Sequence, residues 1–188
     1  MCEMRGAFVA QVGIAMKLLG IGVIVLYVGL AAEPASAERI EVLFELRNWV
    51  VEGVTADDGS YACRAMVSVP GDSFSIRAFP DQAVRLQFTS DEWDLGEGDT
   101  ASIEVEIDSR SPWAFADATL LQNSVFVDLP DLAESKTFVS QVAKGAMLQL
   151  RTADGTGVRN YSLSGSSEAI RNLNQCDQTT IRDRNPFN

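Results

Sequence analysis

The stretch Ala101-Ser102-Ile103-Glu104-Val105-Glu106-Ile107-Asp108 alternates without interruption. Ile103, Val105 and Ile107 fall on one side of an extended chain, and Glu104, Glu106 and Asp108 on the other. Successive side chains of a strand point to opposite faces, so this segment reads as a strand with one face on a core and one in water. Strands of that kind need partners, and turn signals supply them along the chain. Trp49 to Thr55 meets Asp57-Asp58-Gly59, then Tyr61 to Val69. Asp-Gly between apolar runs is a strong short-range hairpin signal. Pro70-Gly71-Asp72 leads into Phe74 to Phe79, and Pro80-Asp81 into a strand on which Val84, Leu86 and Phe88 alternate. Ala114 to Leu121 and Ser124 to Leu129 flank Gln122-Asn123; Met147 to Arg151 and Val158 to Leu163 flank Asp154-Gly155.

Two segments break this pattern with helical spacing. In the first, Ser135 is placed to cap a run that puts Phe138, Val139, Val142 and Ala143 on one face, with Lys144 in the last turn and Gly145 as the stop. In the second, Ser166 precedes Ser167 to Gln175, and Glu168 suits the positive helix N-terminus. Ala169, Leu173 and Cys176 share a face there with Ile170. The expected class is mainly β: a sandwich or a strongly bent antiparallel sheet, with two short helices, the second at the C-terminus.

The N-terminus has a different character. Lys17 precedes an apolar run from Leu18 to Ala32, and Ala35-Ser36-Ala37 offers small residues at the −3 and −1 positions of a cleavage site. A positive start, an apolar run shorter than the about 20 residues of a membrane span and an A-x-A step are the marks of a cleavable export signal. Residues 1–37 are therefore read as a signal peptide, with Met16 as a candidate true start. Residues 38–176 are read as one β-rich domain, and 177–188 as a polar tail. The leader holds two acids, Glu3 and Glu33, and two bases, Arg5 and Lys17, so its removal leaves the net charge at −11. That acidity disfavours nucleic-acid backbones and anionic membrane surfaces as partners.

Export bears on the cysteines. Cys63 and Cys176 are the two that follow the leader, and in an oxidising compartment an even count points to one structural disulfide between them. A redox role would want a close C-x-x-C pair, which is absent. The chain contains no histidine. This removes the commonest general base and metal ligand, and with it Ser–His–Asp, Cys–His and His-bound zinc chemistry. Carboxylates remain. Asp91, Asp94, Glu97 and Asp99 crowd a glycine-containing loop that could offer oxygens to Ca²⁺, although the spacing is not that of an EF-hand. Glu104, Glu106 and Asp108 share a strand face and are the residues a carboxylate-based glycan hydrolase would use; a solvated strand face is the ordinary meaning of that alternation. Trp93 and Trp113 could line a ligand groove or belong to the core. No catalytic residue, cofactor or second domain is expected.

One pattern goes further. Trp49-Val50-Val51 is followed by Cys63 in the next strand. Towards the C-terminus stands FVSQVAKGAMLQLRTADGTGVRNYSLSGSSEAIRNL. A short helix, a glycine, an apolar strand, a glycine turn and a Ser-Leu-x-Gly step into a final amphipathic helix resemble the invasion-associated locus B family of bacteria. The matching positions are Trp49, Cys63, Gly145, Leu148, Gly155, Ser162, Leu163, Gly165, Ala169 and Leu173. The chain lacks the family's central Gly-Cys step and adds Cys176. The resemblance implies a β-rich, periplasmic or envelope-associated protein without enzymatic activity, and it supplies no catalytic residue. The expected function is a non-enzymatic interaction module in the periplasm of a Gram-negative bacterium, with an envelope protein as partner. A small-ligand or Ca²⁺-binding protein comes second, and a glycan hydrolase third.

Overall fold

In the computed structural model, residues 39–183 are described, apart from 57, 80–82 and 130 and the side chains of 180–183. The segment read as a signal peptide and the Pro80-Asp81 turn lie outside the described residues. All that follows belongs to the second of two units into which the chain divides, Ser36–Asn188.

Alternation and turns produce the expected antiparallel sheet. Among the described residues ten strands form it: β1 (Arg39–Leu46), β2 (Trp49–Thr55), β3 (Tyr61–Val69), β4 (Asp72–Ala78), β5 (Val84–Ser90), β6 (Glu97–Ile107), β7 (Trp113–Leu121), β8 (Ser124–Asp128), β9 (Met147–Thr152) and β10 (Gly157–Ser162). Their spatial order is β1-β2-β3-β4-β5-β8-β7-β6-β9-β10. The chain thus meanders through five strands, skips to β6, returns through β7 and β8 to pair with β5, and then crosses to β9 through a helix. Phe74 on β4 and Phe88 on β5 lie 5.9 and 6.0 Å from the ring of Tyr161 on β10. These strands are far apart in the sheet order, so the sheet bends over on itself and encloses the core between its two halves. Trp49, Val51, Phe74, Ile76, Leu86, Phe88, Val105, Ile107, Leu148 and Tyr161 are buried there.

The two helices pack against each other and seal the core. α1 (Leu132–Lys144) turns Phe138 and Val142 inward as the spacing requires. Its cap differs from the expectation. The Asp131 carboxylate accepts from the Glu134 backbone N–H at 2.8 Å, and Ser135 lies buried inside the helix. Aspartate is as good a cap as serine, and capping from 131 brings the preceding turn into the helix. Gly145 ends α1 with an extended backbone, not a left-handed one. Its lack of a side chain serves packing: a Cβ there would stand 2.8 Å from both Ile107 Cγ2 and Leu163 Cδ1.

α2 (Ser166–Asp183) is longer than expected. It continues past Cys176 into the stretch read as a polar tail, because nothing between Asp177 and Asp183 breaks a helix. The Ser166 hydroxyl donates to the Val142 carbonyl of α1 at 2.8 Å, tying the start of α2 to α1. Two further differences concern strands. β1 was not expected, and β6 begins at Glu97, so Glu97 and Asp99 stand on a strand and not in a loop.

Candidate functional site

Cys63 and Cys176 form a disulfide. It joins α2 to β3, on whose core face Ala65 and Val67 continue inward. The positions behind the family resemblance have architectural roles in this frame. Trp49, Leu148, Leu163, Ala169 and Leu173 are buried. Gly165, at the turn into α2, has φ +101°, a conformation L side chains rarely adopt, and a Cβ there would stand 3.4 Å from Trp49 Cδ1.

The acidic candidates do not assemble a site. Among the described residues no three His, Cys, Asp or Glu side chains come together in a group able to hold a metal ion. Asp91, Asp94, Glu97 and Asp99 are exposed and strung along the turn and the first residues of β6. Two backbone bonds hold that turn against the turn between β7 and β8: Leu95 N–H to the Gln122 carbonyl at 2.7 Å, and Gln122 N–H to the Gly96 carbonyl at 2.6 Å. The Ca²⁺ reading therefore lacks a converged ligand set. The neighbouring Glu92 has a structural partner. Arg159 of β10 pairs with Glu92, donates to Asp72 of β4 at 3.0 Å, and lies 5.7 Å from the Trp93 ring. Trp93 thus belongs to a clamp between the two halves of the bent sheet.

Two of the three carboxylates read on this strand, Glu106 and Asp108, are similarly engaged. Ile103, Val105 and Ile107 are buried, as the alternation requires. Glu106 pairs with Arg151 of β9 at 2.9 Å. The Asp108 carboxylate accepts from the backbone N–H groups of Ala146 and Met147, both at 2.9 Å, and these bonds hold its pKa below the ordinary carboxylate value. An acid catalyst for glycoside hydrolysis needs the opposite shift. Trp113 donates its indole N–H to Gln141 of α1 at 2.9 Å and packs edge-on to Phe138, so it anchors the helix to the sheet.

The surface that alternation failed to reveal is β1. It is an edge strand, paired with β2 on one side. Ile40, Val42 and Leu43 are 52%, 53% and 44% exposed. A β-bulge between Val42 and Phe44 makes Leu43 the extra residue and switches the faces: Ile40 and Val42 stand opposite Val54 and Glu52, whereas Phe44 and Leu46 stand opposite Val51 and Trp49 of the core face. The doubled apolar pair Leu43-Phe44 is the trace of that bulge in the sequence. The opposite edge, β10, is shorter and bears Arg159 and Asn160. An edge strand offers a row of N–H and C=O groups to any further strand, and on β1 that row is flanked by exposed apolar side chains.

No family model matches the chain, and no curated protein matches it. Among solved structures, the crystal structure of invasion associated protein B from Bartonella henselae superposes with a TM-score of 0.52 at 14% identity, over 74% of this chain and 99% of that one. The fold is that of invasion associated protein B. At this identity the likeness to invasion associated protein B is one of fold. It agrees with the distant resemblance carried by Trp49, Cys63 and the Gly145–Leu173 segment. Among the described residues no helix is long and apolar enough to cross a membrane.

Proposed function

We propose that the chain is an exported, non-enzymatic interaction protein of the bacterial envelope, and that it docks an extended segment of an envelope protein along β1. The observation that carries this reading is the exposed apolar edge of β1. Strand addition at such an edge draws affinity from main-chain hydrogen bonds and specificity from alternate side chains. Ile40, Val42 and Leu43 would supply the apolar contacts. Three features support export: the leader pattern of residues 1–37, the disulfide of a kind that persists in oxidising compartments, and the fold shared with invasion associated protein B. The engagement of Glu106 and Asp108 by structural partners, in a chain without histidine, supports the absence of catalysis.

The test uses envelope extracts and three forms of the full chain. The unaltered chain is expected to retain a defined partner. Val42→Lys places a charge on the docking edge and is expected to abolish retention without lowering the melting temperature, because Val42 is half exposed. Leu121→Lys, at a comparably exposed apolar position on β7, is expected to retain the partner. Equal retention by Val42→Lys and the unaltered chain would rule out β1 as the docking edge.

A further inference from the structure

The groove beside the two helices has features that packing alone does not need. Ala78 of β4, Val84 of β5, Leu132, Val139 and Ala143 of α1 and Ile170 of α2 give apolar walls to a cleft of about 620 Å³. Small-molecule sites are concave, mostly apolar and of roughly 300–1,000 Å³. A buried polar group lines the same cleft. Ser135 is 3% exposed, yet its hydroxyl has no hydrogen-bond partner among the described residues. Buried hydroxyls are ordinarily paired, so this one is placed to meet a group from outside the chain.

Lys136 and Ser140 line this cleft and also a second one beside it, of about 460 Å³, together with Arg110, Gln141 and Lys144. Positions 136, 140 and 144 are one turn apart and share a face of α1. Among the described residues no acid lines the second cleft. Lys136 and Lys144 are the only lysines after the leader, and among the described residues neither forms an ion pair. Arg110 lies 3.9 Å from Asp108, whose carboxylate is already taken by two backbone N–H groups. With Arg110 set against Asp108, both lysine charges remain, in a chain of net charge −11. Gln141 accepts from Trp113 through Oε1, which leaves its amide nitrogen to donate. Asp177, the acid among the described liners of the first cleft, has an interaction of its own.

We propose that the joined clefts bind a fatty acid. The acyl chain lies against the apolar walls of the first cleft. The carboxylate sits at the junction, where the Lys136 ammonium and the Ser135 and Ser140 hydroxyls donate to it and Lys144 and Arg110 add attraction. A wholly apolar occupant leaves Ser135 unpaired and the lysines unused; a small anion leaves the apolar walls in water. The site is independent of docking along β1.

Calorimetric titration of the full chain with dodecanoate, kept below micelle formation, tests the proposal. Saturable binding tighter than about 100 μM is expected. From octanoate to dodecanoate the affinity should rise about fourfold for each methylene buried. Dodecyltrimethylammonium, with the same tail and the opposite charge, should bind at least about tenfold more weakly. Lys136→Gln and Ser140→Glu, neither at a buried position, should each weaken dodecanoate binding about tenfold while the melting temperature holds. Arg171→Gln, which lines neither cleft, should leave binding unchanged. The absence of saturable heat up to about 1 mM dodecanoate would overturn the proposal. So would equal binding of the two dodecyl amphiphiles, or Lys136→Gln and Ser140→Glu forms that both bind like the unaltered chain. Sedimentation velocity covers the other occupant: a dimer that Ser140→Glu disperses, in a chain that does not take up dodecanoate, would assign the groove to a second copy and reject the fatty acid.

Discussion

Cys63 and Cys176 are separated by 113 positions. Closing a loop of that length removes chain entropy from the unfolded state worth about 4–5 kcal/mol in the chain-entropy model. Denaturant unfolding with and without reductant is expected to differ by an amount of this order, and superimposable curves would show that the bridge contributes nothing. The same scale holds a pH prediction. Burial works against the charge of Asp72, but the Ser90 hydroxyl and Arg159 outweigh it and keep its pKa below the ordinary value. The Thr152 hydroxyl and the Thr156 N–H bring Asp154 down to about 2. Both carboxyls titrate lower in the folded than in the unfolded chain. Their stabilisation is therefore present above about pH 4, the unfolded value, and is lost as pH falls towards 2. The melting temperature should decline through that window, and Asp72→Asn should flatten the decline; an Asp72→Asn profile parallel to the unaltered one would contradict it. The cysteine pair was legible from the count and the expectation of export alone. The two-residue turn at Pro70-Gly71 sets Arg64 opposite Arg77, a pairing that is not legible in the same way. Reading it requires combining the registers of successive hairpins, and alternation within one strand does not do that.

Elements whose pattern is local were legible, and those shaped by tertiary contacts were not. β2 to β5 and the hairpins at Gln122-Asn123 and Asp154-Gly155 follow from alternation and turn chemistry. β1 escaped because its bulge at Leu43 shifts the apolar phase in mid-strand. The acidic turn was read three residues too long because β6 begins at Glu97, which pairs with Leu121 of β7 in spite of its polarity. α2 was read too short because its face is apolar only as far as Cys176 and its remaining turns are polar. Gly145 joins α1 to β9 where a methyl group would meet Ile107 and Leu163 at 2.8 Å. Gly145→Ala should cost about 1–3 kcal/mol by overpacking. Gly157→Ala, where an added Cβ meets nothing within 4 Å, should leave stability unchanged or slightly raised. Equal denaturation midpoints for the two variants would mean that the junction between α1 and β9 is not tightly packed.

At the scale of the whole molecule, the bent sheet, the disulfide and the Arg159 clamp all serve closure. Arg159 reaches from β10 to Asp72 on β4 and to Glu92 beyond β5, and so joins the last strand of the sheet order to strands of its first half. Two of the three carboxylates that a catalytic reading would need, Glu106 and Asp108, are bound to an arginine and to backbone amides. Closure leaves β1 as the long apolar edge among the described strands, the edge proposed to dock a partner. The most direct measurement is photo-crosslinking in intact cells, with a photoreactive amino acid at Val42 of the full chain and, as control, at Leu121. Docking along β1 predicts one discrete envelope-protein adduct from position 42, formed in the periplasmic fraction, and none from position 121. Recovery of the chain in the cytoplasm, or the same adducts from both positions, would contradict it.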